Sequence, residues 1–350
     1  MNSSLGNRWA HTKSCCWAVG CILTIALIAD WAFTVRAQSA PPGPPNPTAT
    51  NLDLASQAHL NYPDDITGYM DVTYSVVRGY RPLKLDLYVP AKPSSRPAVV
   101  WIHGGGWAGG NPRQPLGPYP DWRIVLARLA GRGYVVVGAT YRLSGEAKFP
   151  AAIEDIKATV RWLRANAATI GVDPNRIGVW GESAGGQLAS LLGTSCGVPE
   201  LEGVKDRPVS SCVQAVVDWY GPTDFSQMDA QLIPGGLKHD TPQSAESNYL
   251  GCQLSKCDLA KVQSANPIAY VTASTPPFLI FHGNADTAVP PKQSQILYDA
   301  LRAKGVPAQL VSVPGANHMF VGATEAQYKT IVDTVFQFFD EKLGATSPAK

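Results

Sequence analysis

The sequence predicts an α/β protein: a mostly parallel, doubly wound sheet with helices on both faces and a small cap or insertion. Three observations point there. From about residue 70, short runs rich in β-branched and aromatic residues alternate with stretches of helical period. Parallel neighbours need crossover helices, so repeated strand-then-helix order is the signature of such a sheet. Several helical stretches end in glycine, as at Gly171, which serves as a helix stop. Glycine-rich loops follow several strand runs, where open α/β sheets build their sites.

The elements follow in order. "DVTYSVV" (71–77) and "LKLDLYV" (83–89) alternate polar and apolar side chains, as paired strands with one wet face do. "AVVWI" (98–102), "YVVVGAT" (134–140), "RIGVW" (176–180), "AVVDWY" (215–220), "PFLIF" (277–281) and "AQLVSV" (308–313) read as strands buried on both faces. Helices are expected at 122–133, 150–171, 294–305 and 325–343, and in "AGGQLASLLG" after Ser183. In the second of these, Ile153, Ile156, Val160 and Leu163 recur three or four apart and form one apolar stripe. Residues 222–268 are irregular, hold two cysteines, and are expected to form the insertion.

Composition bounds the answer. Among 350 residues 45% are hydrophobic and 16% charged, with net charge +2, which suits a large core and excludes a disordered chain. No long block of one charge sign is present, so neither nucleic acid nor a polybasic membrane contact is expected as a partner. No repeat of solenoid spacing occurs.

The N-terminus reads differently. Arg8, His11 and Lys13 precede the uncharged run Cys15 to Ala29, and small residues stand at Val35 and Ala37. The pattern is that of an export signal over residues 1–37. An uncleaved membrane anchor is the alternative, but the run is shorter than the roughly 20 residues a spanning helix needs. After cleavage no stable membrane contact is expected, and the expected location is secreted or periplasmic. Residues 38–69 begin with "QSAPPGPPNPTAT" and are expected to be a proline-rich linker and extension before a catalytic domain at 70–343 and a tail at 344–350. Of seven cysteines, three lie in the signal, leaving Cys196, Cys212, Cys252 and Cys257. Local pairing, Cys196–Cys212 and Cys252–Cys257, is the simplest of the three connectivities. A Cys-x4-Cys without nearby histidines does not suggest a metal site.

Four strand ends carry the chemistry. Gly181, Ser183 and Gly185 satisfy Gly-x-Ser-x-Gly between a strand and a helix, the context a nucleophile elbow requires. Taken alone the pattern is only a turn, since glycine and serine are common turn residues. His103-Gly104-Gly105-Gly106 follows another strand, and Gly105, Gly106 and Ala184 are the expected oxyanion donors. His103, Gly104 and Trp107 are assigned to substrate binding in the same loop. A serine needs a base. Of six histidines, His11 lies in the signal, His59 precedes the folded pattern and His239 sits in the insertion. His282 ends a strand, where a packed or capping role suffices. His318, between the last strand and the last helix, is the best base. The acid expected between serine and histidine is Asp286, with Asp218 and Asp224 as competitors.

"WIHGGGW", "FPAAIEDIKATVRWL", "GVDPNRIGVWGESAGGQLA", "WYGPTDF", "FHGNADTAVP" and "GANHMF" together resemble the α/β-hydrolase family. The nearest branch is that of hormone-sensitive-lipase-like esterases and bacterial feruloyl and acetylxylan esterases. The resemblance spans about residues 70 to 343. It implies carboxylic-ester hydrolysis by Ser183, Asp286 and His318, with His103 to Gly106 shaping the oxyanion hole and no metal or cofactor. The implied substrate is a small-molecule or polysaccharide-linked ester. Three departures stand out. Glu182 precedes the serine where the lipase-like branch has Asp, Gly145 stands where it has proline, and Asn317 precedes the histidine where it often has glycine. They weaken any transfer of substrate preference, and Glu182 is expected to be only a structural carboxylate. Competing classes are a prolyl-oligopeptidase-type peptidase, a polyester hydrolase and a non-enzymatic binding protein of the same fold. Residues 1–70 are too short for the peptidase's extra domain, and no triad member is missing, against the binding protein.

Overall fold

A computed structural model describes residues 52–344, apart from residue 93 and residues 205–207. The expected export signal, the proline-rich stretch and residues 345–350 lie outside the described residues.

Nine strands form one sheet in the order β1-β2-β3-β5-β4-β6-β7-β8-β9. They are β1 (His59–Tyr62), β2 (Ile66–Ser75), β3 (Leu83–Pro90), β4 (Arg96–Ile102), β5 (Val135–Ala139), β6 (Val172–Glu182), β7 (Ala215–Trp219), β8 (Phe278–Gly283) and β9 (Ala308–Val313). β1, β2, β3 and β5 pair antiparallel in turn, and the remaining pairs are parallel. The helices are α1 (Arg123–Gly131), α2 (Ala151–Ala165), α3 (Ala167–Ile170), α4 (Ala184–Thr194), α5 (Ala245–Leu250), α6 (Leu259–Ser264), α7 (Lys292–Ala303) and α8 (Glu325–Leu343).

The uninterrupted apolar strands are explained by burial on both faces. In β4, Ala98, Val100 and Ile102 pack into a layer with Ile153 and Ile156 of α2, Leu188 of α4 and Leu297 of α7. The alternate residues Val99 and Trp101 enter a second layer with Val125 of α1 and Val332 and Phe336 of α8. Because successive side chains point to opposite faces, such a strand needs apolar residues at every position. In the second layer Trp101, Trp180 and Trp219 meet edge to face, with ring centroids 4.7 Å and 4.8 Å apart.

Three expectations are corrected. The sheet does not begin at about residue 70: within the expected extension, Pro63, Asp64 and Asp65 turn β1 into β2, with positive φ at both aspartates, so the sheet gains an N-terminal hairpin. "AQLVSV" is not buried on both faces. It is the sheet edge, and only Val313 in it is buried. The helix expected at 150–171 breaks at Asn166, whose backbone leaves helical geometry, before the short α3 ends at left-handed Gly171.

The strand order positions the site. β4 lies between β5 and β6, so the chain leaves β4 toward one side and returns on the other. A crevice opens at the carboxyl ends where the winding reverses. Register brings the loops together: Ile102 pairs with Gly181, Glu182 with Trp219, and Trp219 with Phe281.

Candidate active site

Ser183 sits between β6 and α4 with φ 54° and ψ −121°, a conformation that side chains rarely adopt. Two bonds hold it there. Its N–H donates to the Trp219 carbonyl at 2.8 Å, and its carbonyl accepts from the Gln187 N–H at 3.0 Å. The flanking glycines are required by space. A Cβ at Gly181 would stand 2.1 Å from the Gly185 carbonyl oxygen, and one at Gly185 would stand 2.1 Å from that of Ile102. The Gly-x-Ser-x-Gly spacing is therefore the footprint of a turn pressed against its own helix and the neighbouring strand.

His318 follows β9. Its Nε2 lies 2.9 Å from Ser183 Oγ, and its Nδ1 lies 2.7 Å from Asp286 Oδ2. A carboxylate accepts, so Nδ1 carries the proton and Nε2 is free to accept from the serine hydroxyl. Asp286 is fully buried, and its Oδ1 accepts the N–H groups of Ala288 and Val289 at 2.8 and 2.9 Å. Burial opposes its ionisation, but the hydrogen bonds from His282 and His318 outweigh that cost and hold its carboxyl well below the usual range.

The competing acids have other duties. Asp218 is buried beneath the elbow, accepting from Ser190 Oγ at 2.8 Å and the Gly221 N–H at 2.9 Å. Asp224 accepts from the Ser226 N–H at the start of a 3₁₀ turn and from Asn266 Nδ2, each at 3.0 Å. Of these acids only Asp286 reaches His318.

In the glycine loop, the N–H groups of Gly105 and Gly106, and that of Ala184 at the start of α4, make no hydrogen bond within the described residues. Gly106 and Ala184 line the cleft beside Ser183. Gly105 has φ +103°, and a Cβ there would meet the Gly109 carbonyl oxygen at 2.4 Å. Two assignments to substrate binding are not met. His103 is buried, stacked on Tyr141 with ring centroids 4.6 Å apart, and does not line the cleft. The Gly104 N–H is spent on Glu182 Oε1 at 2.7 Å. Glu182 thus braces the glycine loop from below, and burial raises its carboxyl above the ordinary value. Trp107 does line the cleft, with its ring stacked 4.5 Å from that of Tyr249 and its indole N–H donating to Gln187.

The cleft measures about 400 Å³. Its apolar lining includes Trp107, Pro222, Leu237, Ala288 and Val289, while Lys238, His239, Thr241, Gln243, Ser244 and Glu246 form a polar wall. That wall comes entirely from the irregular insertion. Within it His239 Nδ1 lies 3.1 Å from Glu246 Oε1, and both residues are buried.

Asn317 was visible in the sequence only as a departure. Its Oδ1 accepts from the His318 N–H at 2.7 Å, the Thr287 N–H at 2.9 Å and Thr287 Oγ1 at 3.2 Å, tying the histidine loop to the aspartate loop. Glycine offers no such acceptor. Both expected disulfides, Cys196–Cys212 and Cys252–Cys257, are formed. The first closes the segment after α4, and the second closes the turn that follows α5 in the insertion. No cluster of metal-ligating side chains occurs among the described residues.

A mixed sheet with a Ser–His–Asp hydrogen-bonded chain at its carboxyl ends defines the α/β-hydrolase class of serine hydrolases. Within it, the BD-FAE family model matches residues 85–301, and the chain belongs to that family. It is similar to Esterase LipC of Mycobacterium tuberculosis, 31% identical over 66% of this chain and 54% of the relative. Among solved structures, it resembles a truncated carbohydrate esterase from gut microbiota, with TM-score 0.68 and 29% identity over 81% of this chain and 99% of that one. It also resembles the thermophilic esterase Est2 of Thermogutta terrifontis, with TM-score 0.63 and 30% identity over 79% of this chain and 92% of that one. Est2 has also been solved with propionate and with butyrate bound. The chain spans about half the length of the curated relatives it matches first, 54% and 57% of them.

Proposed function

We propose that this chain is an exported serine carboxylesterase that hydrolyses short-chain or aromatic acyl esters, with feruloyl or acetyl esters of plant polysaccharides as its substrate class. One observation carries the reading: Ser183, His318 and Asp286 form an unbroken hydrogen-bonded chain, at 2.9 and 2.7 Å, opening into the cleft.

The chemistry follows from that geometry. His318 Nε2 takes the Ser183 proton as Oγ attacks the ester carbonyl, and Asp286 stabilises the imidazolium that forms. The N–H groups of Gly105, Gly106 and Ala184 bind the developing oxyanion, aided by the positive end of α4. The alcohol leaves with the proton from His318, giving an acyl-serine that water then hydrolyses by the same proton relay.

The polar wall at 238–246 favours an ester with hydroxyl-bearing neighbours over a long acyl chain, whose methylenes gain nothing against polar groups. The relatives' esterase names and the short acids bound in Est2 agree with a small acyl group. Two disulfides suit an oxidising compartment and support export through the N-terminal signal.

The test is a substrate panel of p-nitrophenyl acetate, butyrate and palmitate, methyl ferulate, acetylated xylan and a proline-containing anilide. Rapid turnover of the short esters, with acetylated xylan or methyl ferulate also cleaved, is expected. Preference for the anilide overturns the esterase reading in favour of a peptidase, and preference for palmitate redirects it to a lipase.

A further inference from the structure

Asp286 has a second histidine against it. His282, the penultimate residue of β8, places its Nε2 3.0 Å from the Val289 carbonyl oxygen and 3.2 Å from Asp286 Oδ2. Both are acceptors, so Nε2 must carry the proton. Its Nδ1 lies 2.6 Å from Ser294 Oγ, on α7, and being unprotonated it accepts the serine hydroxyl. The contacts therefore fix one tautomer in a ring that is almost wholly buried.

We propose that the His282–Ser294 pair is a positioning device for the acid of the triad; this rests on the esterase reading above. Four N–H groups surround the Asp286 carboxylate: Ala288 and Val289 on Oδ1, His318 and His282 at Oδ2. The His282 N–H does two things there. It anchors the Val289 carbonyl, and so the turn that presents Asp286 and puts Ala288 and Val289 into the cleft wall. It also places the positive end of a dipole 3.2 Å from Oδ2, which lowers the basicity of the carboxylate facing His318.

The other charged and titratable groups around this pair are accounted for. On β7, Asp218 is buried, bonded to Ser190 and Gly221, and interacts with His282. Just beyond it, the Tyr220 ring lies 6.4 Å from His282 and 4.8 Å from His318, and Glu182 faces His318 from the end of β6. None of these donates to Asp286 Oδ2, so none replaces His282.

The experiment compares wild type with His282→Leu and Ser294→Ala, counting active sites with a phosphonate ester that labels Ser183. Leucine removes the donor. The Ser294→Ala change leaves the proton on Nε2, where Val289 and Asp286 still require it, but removes the bond on Nδ1 that holds the ring in place, so the N–H is no longer fixed against Asp286. In both variants kcat per labelled site should fall about tenfold or more with KM little changed. The acid limb of kcat/KM should move to higher pH, because a more basic Asp286 holds the His318 imidazolium more tightly. If Ser294→Ala keeps the wild-type kcat per site and acid limb, the proposal is overturned. So it is if His282→Leu only lowers the number of labelled sites. Should His282→Leu fail to fold, Ser294→Ala decides alone. Wild-type protein that the phosphonate does not label overturns the esterase reading itself.

Discussion

Replacing Asp286 by Asn tests the site most sharply, because the structure dictates how the amide must lie. Oδ1 accepts two backbone N–H groups, from Ala288 and Val289, which cannot give up their protons, whereas the His318 ring at Oδ2 can shift its own, so the amide oxygen takes the Oδ1 position. Its NH₂ then falls where Oδ2 stands, 2.7 Å from His318 Nδ1. A donor there can bond only to an unprotonated Nδ1, which drives the ring proton to Nε2. An Nε2–H cannot accept from Ser183. The fold should survive, since the amide is isosteric, while kcat falls about 10⁴-fold, on the order of 5.5 kcal/mol of transition-state stabilisation. The assay is p-nitrophenyl acetate hydrolysis normalised to labelled sites, with Ser183→Ala as the floor and Asp224→Asn as the control. Loss of less than tenfold in Asp286→Asn, or a larger loss in Asp224→Asn, would refute the assignment of the acid.

Two further outcomes are expected. Burial pulls the His103 imidazole down to about 4, so the folded state keeps it neutral while the unfolded chain protonates it near 6.5. Stability is then full above about pH 6.5 and falls as pH drops toward 4, by roughly 3 kcal/mol from this residue. Urea unfolding at stepped pH checks it, and equal acid sensitivity in a His103→Gln variant would remove His103 as the cause. The Cys196–Cys212 bond spans 16 residues and should contribute roughly 3 kcal/mol by restricting the unfolded chain. A paired Cys196→Ser, Cys212→Ser variant should lose about that much in denaturant titration, and an unchanged midpoint would count against it.

Much of this molecule was legible because its signals are local. Strands buried on both faces leave unbroken apolar runs, as in β4 and the second half of β6, and the elbow leaves two glycines around Ser183 because nothing larger fits. The β1–β2 hairpin was missed for the converse reason. Its Gly68 and the turn at Pro63 weaken the alternation that Ile66, Met70 and Val72 carry. The strand at 308–313 misled because apolar content does not reveal that no strand lies beyond it.

The sequence by itself determined the alternating α/β order, the elbow at Ser183 and an acid that comes before the histidine in chain order, each read along the chain. Only the tertiary structure decided which acid meets the base, since Asp218, Asp224 and Asp286 all follow strands and differ in what faces them. It also decided that the Gly104 N–H serves Glu182 rather than a substrate, that Asn317 ties two loops, and that His282 stands against Asp286. A hydrogen bond depends on distances of a few tenths of an ångström between residues far apart in sequence, and no local pattern carries that information.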